Sequence, residues 1–406
     1  MRVYKPSGIE WLGEIPKHWE IRRLKYLFYI SKEESRDEFP NVLSLTQNGI
    51  IERDITTNKG QLAQNYIGYN IVKRGDIILN PMDLSSGYAA KSTFEGVISQ
   101  AYIKIRPLKT LNLSYYESFF QNLYHYKILW HLGKGISYDH RWTLGNDVFL
   151  NIKIPLPPLQ EQKEIAEFLD SKCEKIQNYI DKKQKLITLL QEKKQALINE
   201  VVTKGLNPNI EFKNSEIEYL GLIPHHWEVR RMKFMASIHN GREQTEIADE
   251  NGIYPIYGSG GILGKSMYFI YDKPSVLLGR KGTIDKPLFV EEPFWTIDTM
   301  FYTSISKIVL PKYFYYLCLT IDFQFYISGS AIPSMTQYDL ANISFALPPL
   351  QEQKQIANFL DEKCEKINSA IEKTKRQIEL IKEYKNTLIN EAVCGRINFL
   401  EGILNE

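Results

Sequence analysis

The chain has 406 residues, of which 43% are hydrophobic and 24% charged, with a formal net charge of +2. These proportions are ordinary for a soluble globular protein, and the length predicts at least two domains. No apolar run approaches the ~20 residues that a membrane span needs, so a spanning segment is excluded.

The N-terminus and the cysteines indicate the cellular compartment. The first residues, "MRVYKPSGIEWLGEIPKHW", lack the apolar core of a signal peptide. None of the four cysteines has a C-x-x-C neighbour, which argues against a zinc ribbon or a disulfide scaffold. A reducing cytoplasm is therefore expected. The cysteines are Cys173, Cys318, Cys364 and Cys394.

The chain repeats itself. "LGEIPKHWEIRRLK" at Leu12–Lys25 returns as "LGLIPHHWEVRRMK" at Leu220–Lys233. Residues 157–202 and 348–393, both beginning with "PPLQEQK", share 28 identities in 46 aligned positions. Such self-similarity predicts a tandem duplication with a pseudo-two-fold internal repeat.

Two blocks of unlike sequence, 26–154 and 234–345, follow the short repeated segments. Each contains β-type runs and then an aromatic helical stretch, and the rings are expected to form core rather than a ligand-stacking surface. The predicted strands are Gly75–Asn80, Ala101–Pro107, Ser275–Gly279 and Phe301–Ile305, and the aromatic stretches are Tyr115–Leu132 and Lys312–Ile327.

Each repeated 46-residue segment predicts a long helix with a 3.5-residue apolar period, which is typical of a coiled coil. Paired prolines mark each start, and Gly205 with Pro208, and Gly395, mark the stops. Polar residues interrupt both seams at the same two heights. The first seam is Ala166, Leu169, Cys173, Ile176, Ile180, Lys183, Ile187, Leu190, Lys194, Leu197 and Val201, and the second is Ala357, Leu360, Cys364, Ile367, Ile371, Thr374, Ile378, Ile381, Lys385, Leu388 and Ala392.

Pairing the two helices would bury both stripes, and the long connection between them allows an antiparallel arrangement. Their ~40 residues would form a spacer of roughly 60 Å. The alternative is that each helix lies separately on its own block.

No catalytic motif is complete. "NPMD" at Asn80–Asp83 lacks the second proline and the aromatic residue of an adenine methyltransferase tetrad. "YGSGG" at Tyr257–Gly261 lacks the phosphate-loop spacing, so a turn is expected there. His225 and His226 are adjacent without a third ligand, and we interpret them as structural. The residues therefore predict no enzyme activity and no metal site.

These segments, together with "YGSGGILGKSMYFIYDKPSVLLGRKGTIDKP", resemble the DNA-specificity subunit of type I restriction–modification systems, from about Gly8 to Ile397. The resemblance implies an α+β fold with two mixed α/β target-recognition domains separated by two long antiparallel coiled-coil helices. The first domain would comprise residues 1–154, including the repeated segment 8–25, and the first helix would comprise residues 155–206. The second domain would be 207–345, the second helix 346–397 and the tail 398–406.

The resemblance also implies a non-catalytic subunit of a host-defence system. Each domain would read one half of a bipartite site in double-stranded DNA, and the helices would set the gap and dock two methyltransferase subunits. Restriction and translocase subunits would join, and S-adenosylmethionine, ATP and Mg would bind those partners, not this chain. Two alternatives stay open: a structural coiled-coil adaptor that binds no nucleic acid, and an enzyme.

The net charge bears on DNA binding, because Lys and Arg supply much of the affinity for phosphates. Residues 1–154 carry +5 and residues 207–345 carry −3, so the attraction is weak for this size. Basic groups must cluster locally, or a partner must provide them.

Candidate DNA-reading residues are polar or cationic side chains on loops. The turn "GRKGTID" (Gly279–Asp285) is the strongest, and "NPMDLSSGYAAKS" (Asn80–Ser92) takes its place in the first block with a different pattern. The candidates are Arg280, Lys281, Thr283, Ser334, Thr336, Gln337, Ser85, Ser86, Lys91, Tyr138, His140 and Arg141. Candidates for the helix pair and for methyltransferase docking are Gln160, Glu161, Gln162, Leu169, Ile176, Ile180, Gln351, Glu352, Gln353, Leu360, Ile367 and Ile371.

Overall fold

The computed structural model describes residues 2–37, 40–55, 63, 65–135, 142–326 and 333–397. The chain forms two compact units. Unit 1 comprises residues 1–182 and 377–406, and unit 2 comprises residues 183–376. Each unit thus contains one block and part of each long helix. Among the described residues, no helix is both long and apolar enough to cross a bilayer.

Unit 1 is a set of short antiparallel strands packed on helices. Its central sheet has the order β4-β11-β8-β9, and β3 pairs with β12. Its helices before the long one are α1 (Leu113–His125) and α2 (Asn146–Asn151). The strands are β1 (Tyr4–Pro6), β2 (Glu14–Pro16), β3 (Glu20–Arg23), β4 (Phe28–Ile30), β5 (Leu43–Thr46), β6 (Gly49–Glu52), β7 (Asn70–Val72), β8 (Ile77–Leu79), β9 (Ala89–Lys91), β10 (Gly96–Ile98), β11 (Ile103–Pro107) and β12 (Lys153–Leu156).

Unit 2 repeats this plan with unlike residues. Its central sheet has the order β16-β22-β19-β20, β15 pairs with β23, and β17 pairs parallel with β21. Its short helices are α4 (Met232–Met235), α5 (Pro311–Cys318) and α6 (Gln337–Asn342). The strands are β13 (Phe212–Asn214), β14 (Leu222–Pro224), β15 (Glu228–Arg231), β16 (Ala236–Asn240), β17 (Tyr254–Gly258), β18 (Gly261–Ser266), β19 (Ser275–Gly279), β20 (Leu288–Val290), β21 (Trp295–Thr296), β22 (Met300–Ile305) and β23 (Ser344–Leu347).

The four strands expected from the sequence are β8, β11, β19 and β22, and β8 pairs with β11 as β19 pairs with β22. The aromatic stretches are shorter helices than expected, α1 and α5, each followed by a 3₁₀ turn, at Trp130–Leu132 and Phe323–Tyr326. Most of their rings are core, because Tyr115, Phe119 and Phe314 are fully buried. Phe325 is the main exception, with 84% of its surface exposed.

The long helices are α3 (Leu159–Lys204) and α7 (Leu350–Val393). In unit 1, the first turns of α3 pack in one core with the last turns of α7, at Ala166, Leu169, Ala392 and Val393. In unit 2, the end of α3 packs with the start of α7. The helices therefore pair, as the seams predict, and run antiparallel in both units, as the family resemblance implies; no seam residue is exposed. The ends of the helices also pack on the blocks. The alternative, in which each helix lies on its own block, therefore holds in part, together with the pairing.

Side chains of the repeated "QEQ" segment hydrogen-bond the start of each long helix to its block. In unit 1, the side-chain oxygen of buried Gln162 accepts a hydrogen bond from the backbone of Asn112, which is the N-cap of α1. Glu161 accepts one from the indole of Trp19 at 3.0 Å and also contacts Arg2 and His18. This arrangement explains why "HWE" and "QEQ" recur together.

Unit 2 repeats the glutamine, tryptophan and histidine contacts of that network. Gln353 accepts from the backbone of Leu310, the N-cap of α5, at 2.8 Å. Glu352 accepts from the indole of Trp227 at 3.0 Å and from His226 at 2.6 Å. His226 is thus structural, as the sequence suggests.

The helix ends are fixed by the same tryptophans. Gly205 and Gly395 follow α3 and α7 with φ of +75° and +76°, a conformation that favours glycine. A Cβ at Gly205 would lie 3.1 Å from the ring of Trp227, and one at Gly395 would lie 2.8 Å from the ring of Trp19. Each helix therefore ends against the residue that anchors the start of the other.

We predict that Glu352→Ala lowers the free energy of unfolding by about 1–3 kcal/mol, because it leaves the fully buried Trp227 indole N–H without an acceptor. Glu161→Ala should do the same in unit 1. Urea titration measures the effect. The matched control is the exposed neighbour Gln351→Ala, which should change stability by no more than about 0.5 kcal/mol. Equal losses for both substitutions would contradict the anchoring role.

Candidate nucleic-acid interface

In unit 2, the turn after β19 is shaped by two glycines. A Cβ on Gly279 would lie 2.4 Å from the backbone oxygen of Thr283, so only glycine lets the chain fold back so closely. Gly282 has φ +82°. The turn presents Lys281 to solvent, whereas Arg280 is half-buried and donates to the backbone oxygen of Asp298 at 3.2 Å.

This turn is hydrogen-bonded to the segment that precedes α6. The backbone N–H of Met335 donates to the oxygen of Arg280 at 3.0 Å, and that of Gly282 donates to the oxygen of Pro333 at 3.0 Å. Lys281 and Ser334 form an isolated β-bridge. The two predicted reading regions of the second block are therefore neighbours.

The remaining candidates of unit 2 have local hydrogen bonds. Thr336 caps α6 by accepting from the backbone of Asp339, and its hydroxyl contacts the Asp339 carboxylate. Gln337 donates to the backbone oxygen of Ile238 at 3.4 Å. Thr283 is half-buried in the turn.

In unit 1, the loop between β8 and β9 replaces this turn. The carboxylate of Asp83 accepts from the backbones of Ser85 and Ser86 and from the Ser86 hydroxyl. Burial alone would raise the pKa of Asp83, but these hydrogen bonds hold the pKa below its ordinary value. A Cβ on Gly87 would collide with the backbone oxygen of Asp83 at 1.9 Å. The loop is thus preorganised and leaves the Ser85 side chain exposed.

Lys91 lies apart from the tip of this loop. It ends β9, and its ammonium contacts the hydroxyl of Ser114 on α1 at 2.5 Å. Its backbone N–H donates to Glu117. Tyr138, His140 and Arg141 lie outside the described residues. A partner for the loop is nevertheless defined, because the backbone of Leu144 donates to the oxygen of Pro81 at 2.9 Å.

The two units therefore share one arrangement at the candidate interface. In unit 1 the loop after β8, and in unit 2 the loop after β19, accepts a backbone hydrogen bond from the segment that precedes a six-residue helix. β8 and β19 hold the same place in the order of strands across their sheets. The donors are Leu144 and Met335, 191 residues apart, which is the spacing of the sequence repeat. The frame is common, and the loops on it differ in sequence and conformation.

Two exposed features escaped the sequence analysis. Ile262 and Leu263 lie on β18, and the tip of that hairpin approaches the turn at Gly279–Asp285, because a Cβ on Gly282 would lie 3.1 Å from the Ser259 hydroxyl. Tyr338 on α6 is 77% exposed beside Gln337. Large apolar side chains left in solvent within a polar loop region are the signal for such sites, but exposure cannot be read from one sequence.

Most of the polar candidates on the helices bond each helix start to its own block. Gln162 and Gln353 are buried and bonded within their units, Glu161 and Glu352 hold the tryptophans, and only Gln160 and Gln351 are exposed. Docking of a methyltransferase on these residues stays a prediction. The apolar candidates, none of them exposed, are Leu169, Ile176, Ile180, Leu360, Ile367 and Ile371.

The chain matches the Methylase_S family model, described as the type I restriction modification DNA specificity domain, at residues 16–191 and again at 224–380. The type I restriction enzyme MjaVIII specificity subunit of Methanocaldococcus jannaschii is 25% identical, over 98% of this chain and 97% of its own length. The putative MjaX specificity subunit of the same organism is also 25% identical, with 95% of each chain covered.

A solved structure from work on complex assembly and conformational transition of the type I R-M system has the same fold. Its TM-score is 0.73 at 14% identity, and the match covers 94% of this chain and 99% of that one. The duplicated frame, the two family matches and the full-length relatives agree. The chain belongs to the family of type I restriction–modification DNA specificity subunits and carries two copies of its domain.

Proposed function

We propose that each unit reads one half of a bipartite, asymmetric site in double-stranded DNA, with the reading done by the paired loops of each block. The observation that carries this proposal is the common backbone hydrogen bond, Leu144 to Pro81 and Met335 to Arg280, which holds unlike loops in equivalent places. Two unlike loops on one repeated frame suit two unrelated half-sites. An adaptor that only holds two partners apart has no need of such divergence.

Within the loops, we propose Lys281 and Ser85 as the first contacts to test, because both side chains are exposed at the tips. A Lys ammonium can donate to guanine O6 and N7, and a serine hydroxyl can pair with several base edges. Ser334 remains a candidate on the segment beside the turn. Tyr138, His140 and Arg141 remain candidates from the sequence. Thr336, Ser86 and Lys91 would have to exchange their present hydrogen bonds to reach a base.

We further propose that this subunit performs no chemistry. It would dock two adenine methyltransferase subunits, and restriction and translocase subunits would join them. S-adenosylmethionine, ATP and Mg would bind to those partners. The relatives support this role by their names, since both are specificity subunits of type I restriction enzymes. We place the subunit in the cytoplasm, where thiols stay reduced, because the four cysteines of this chain are free.

The antiparallel helices would fix the number of unread base pairs between the half-sites. Polar side chains within the seam support this part of the proposal. The Lys194 ammonium donates to Asn368 at 2.9 Å. The hydroxyl of buried Thr374 donates to the backbone oxygen of Ala370 in its own helix. Polar groups at such heights favour one register over its neighbours.

We predict that inserting four residues in α3 after Lys183 and four in α7 after Thr374, which share one height of the seam, lengthens the spacer by ~6 Å. At ~3.4 Å per base pair, the gap in the methylated site should grow by up to two base pairs, with unchanged half-sites. Methylation mapping gives the answer. The control is the insertion in α3 alone. It should put the apolar seam residues of the two helices out of register and thereby abolish methylation of the DNA site. Altered half-sites with an unchanged gap would rule out the spacer role.

We predict that replacing residues 26–154 with the corresponding block of another family member changes only the first half-site. The physical reason is that this block has its own central sheet and reading loop in unit 1. The reciprocal exchange of residues 234–345 is the matched control and should change only the second half-site. A change in both halves from either exchange would contradict independent reading.

We predict that Gly279→Ala abolishes recognition of the second half-site, because the added methyl group would meet the Thr283 oxygen and displace the turn that carries Lys281. Binding to duplexes that vary in one half-site measures the effect. The control is Gly264→Ala on β18, where a Cβ meets nothing within 4 Å. Unchanged discrimination in Gly279→Ala would show that this turn does not read DNA.

A further inference from the structure

A polar cleft of about 460 Å³ lies inside unit 1, between the reading loop and the helix pair. Its walls come from the loop tip, the end of α1 and facing stretches of both long helices. The residues that matter for its chemistry are Ser85, Ser86, His125, Gln177, Lys382 and Lys385.

The charge in this cleft is positive. Lys382 is exposed and Lys385 half-buried on successive turns of α7, and neither ammonium has a carboxylate within 4 Å among the described residues. Burial lowers the pKa of His125, which therefore adds little charge at neutral pH. Lys385 is also close enough to Cys173 on α3 to oppose the rise that burial causes in the pKa of that thiol. The cleft thus offers two uncompensated cations.

The floor of the cleft contains a buried polar atom with no bonding partner in the part of the chain that the structure describes. Asn122 is only 2% exposed, and its Nδ2 donates to Asn390 at 3.0 Å, but nothing donates to its Oδ1. A buried polar atom of this kind is normally satisfied by a water molecule or a ligand. Protein contacts to DNA are characteristically wet, so such a floor suits a bridging water beside a phosphate.

The equivalent place in unit 2 has a different charge. Lys194 corresponds to Lys385 by the 191-residue spacing of the repeat, but its ammonium is already hydrogen-bonded to Asn368. Gln191 stands where unit 1 has Lys382, and Glu372 and Lys375, which also line that cleft, pair with each other at 2.8 Å. A lysine at both of these helix positions is therefore specific to unit 1, and residues 1–154 carry a net charge of +5.

We infer that Lys382 and Lys385 bind the phosphodiester backbone of the DNA beside the first half-site. This inference rests on the proposed function, because the cleft opens next to Ser85 and Ser86 of the reading loop. A helix outside the target-recognition block would thus supply sequence-independent contacts that position the duplex for the first unit only. The local cluster also answers how a chain of net charge +2 can attract phosphates.

The test uses the full chain in its complex with modification subunits and a duplex that holds the mapped site. The double variant Lys382→Ala/Lys385→Ala should weaken binding equally for duplexes with matched and mismatched half-sites. The slope of log K against log salt should become shallower by ~1.8, or ~0.9 for each lost phosphate contact. Lys382→Arg/Lys385→Arg should restore the slope, and Lys193→Ala, which removes an exposed lysine of α3 in unit 2, should leave it unaltered.

Neutral methylphosphonates placed singly along the backbone locate the contact. The wild-type complex should lose affinity at one or two positions beside the first half-site, and the double variant should be insensitive there. A slope unchanged in the double variant would overturn the inference while leaving the proposed function standing. Competition by inorganic phosphate at constant ionic strength, without any methylphosphonate effect, would overturn it in favour of a free-phosphate site. Absence of DNA binding by the wild-type complex would rule out both this inference and the proposed function.

Discussion

The structure depends on one repeated contact, in which a glutamate and a glutamine in the first turn of each long helix hold a tryptophan and a helix N-cap. Glu161 and Glu352 accept from fully buried indoles, and the glutamines directly after them, Gln162 and Gln353, accept from the backbone N-caps of α1 and α5. Loss of either carboxylate would leave a buried indole N–H without an acceptor, which lowers the free energy of unfolding more than loss of a surface hydrogen bond. The contact therefore fixes where each helix leaves its block.

Because the same tryptophans also receive the opposite helix ends at Gly205 and Gly395, start and finish are joined in each unit. The seam between the helices then needs only modest specificity. Its apolar positions supply burial, and a few polar ones, such as Lys194 with Asn368, favour one register. A frame held in this way can carry loops of any sequence. Under the proposed function, that freedom would let the DNA target change while the frame stays the same.

Much of this architecture could be predicted from the sequence. The duplication, the helix limits, the seams and four sheet strands follow from periodicity, proline and glycine, which act locally. The role of Gln162 could not, because its partner at Asn112 lies 50 residues away. The same holds for the reading loops. Lys281 is presented as expected, but Lys91 is turned onto α1 by a contact with Ser114 that no local pattern encodes.

The central claim is that two different loops on one repeated frame read two halves of one site. Its most direct test is genome-wide mapping of methylated adenines in the host, with this gene present and with it deleted. We expect one asymmetric motif of two short halves separated by a fixed, unread gap, and its complete loss on deletion. A continuous motif, or a bipartite one that persists without the gene, would contradict it.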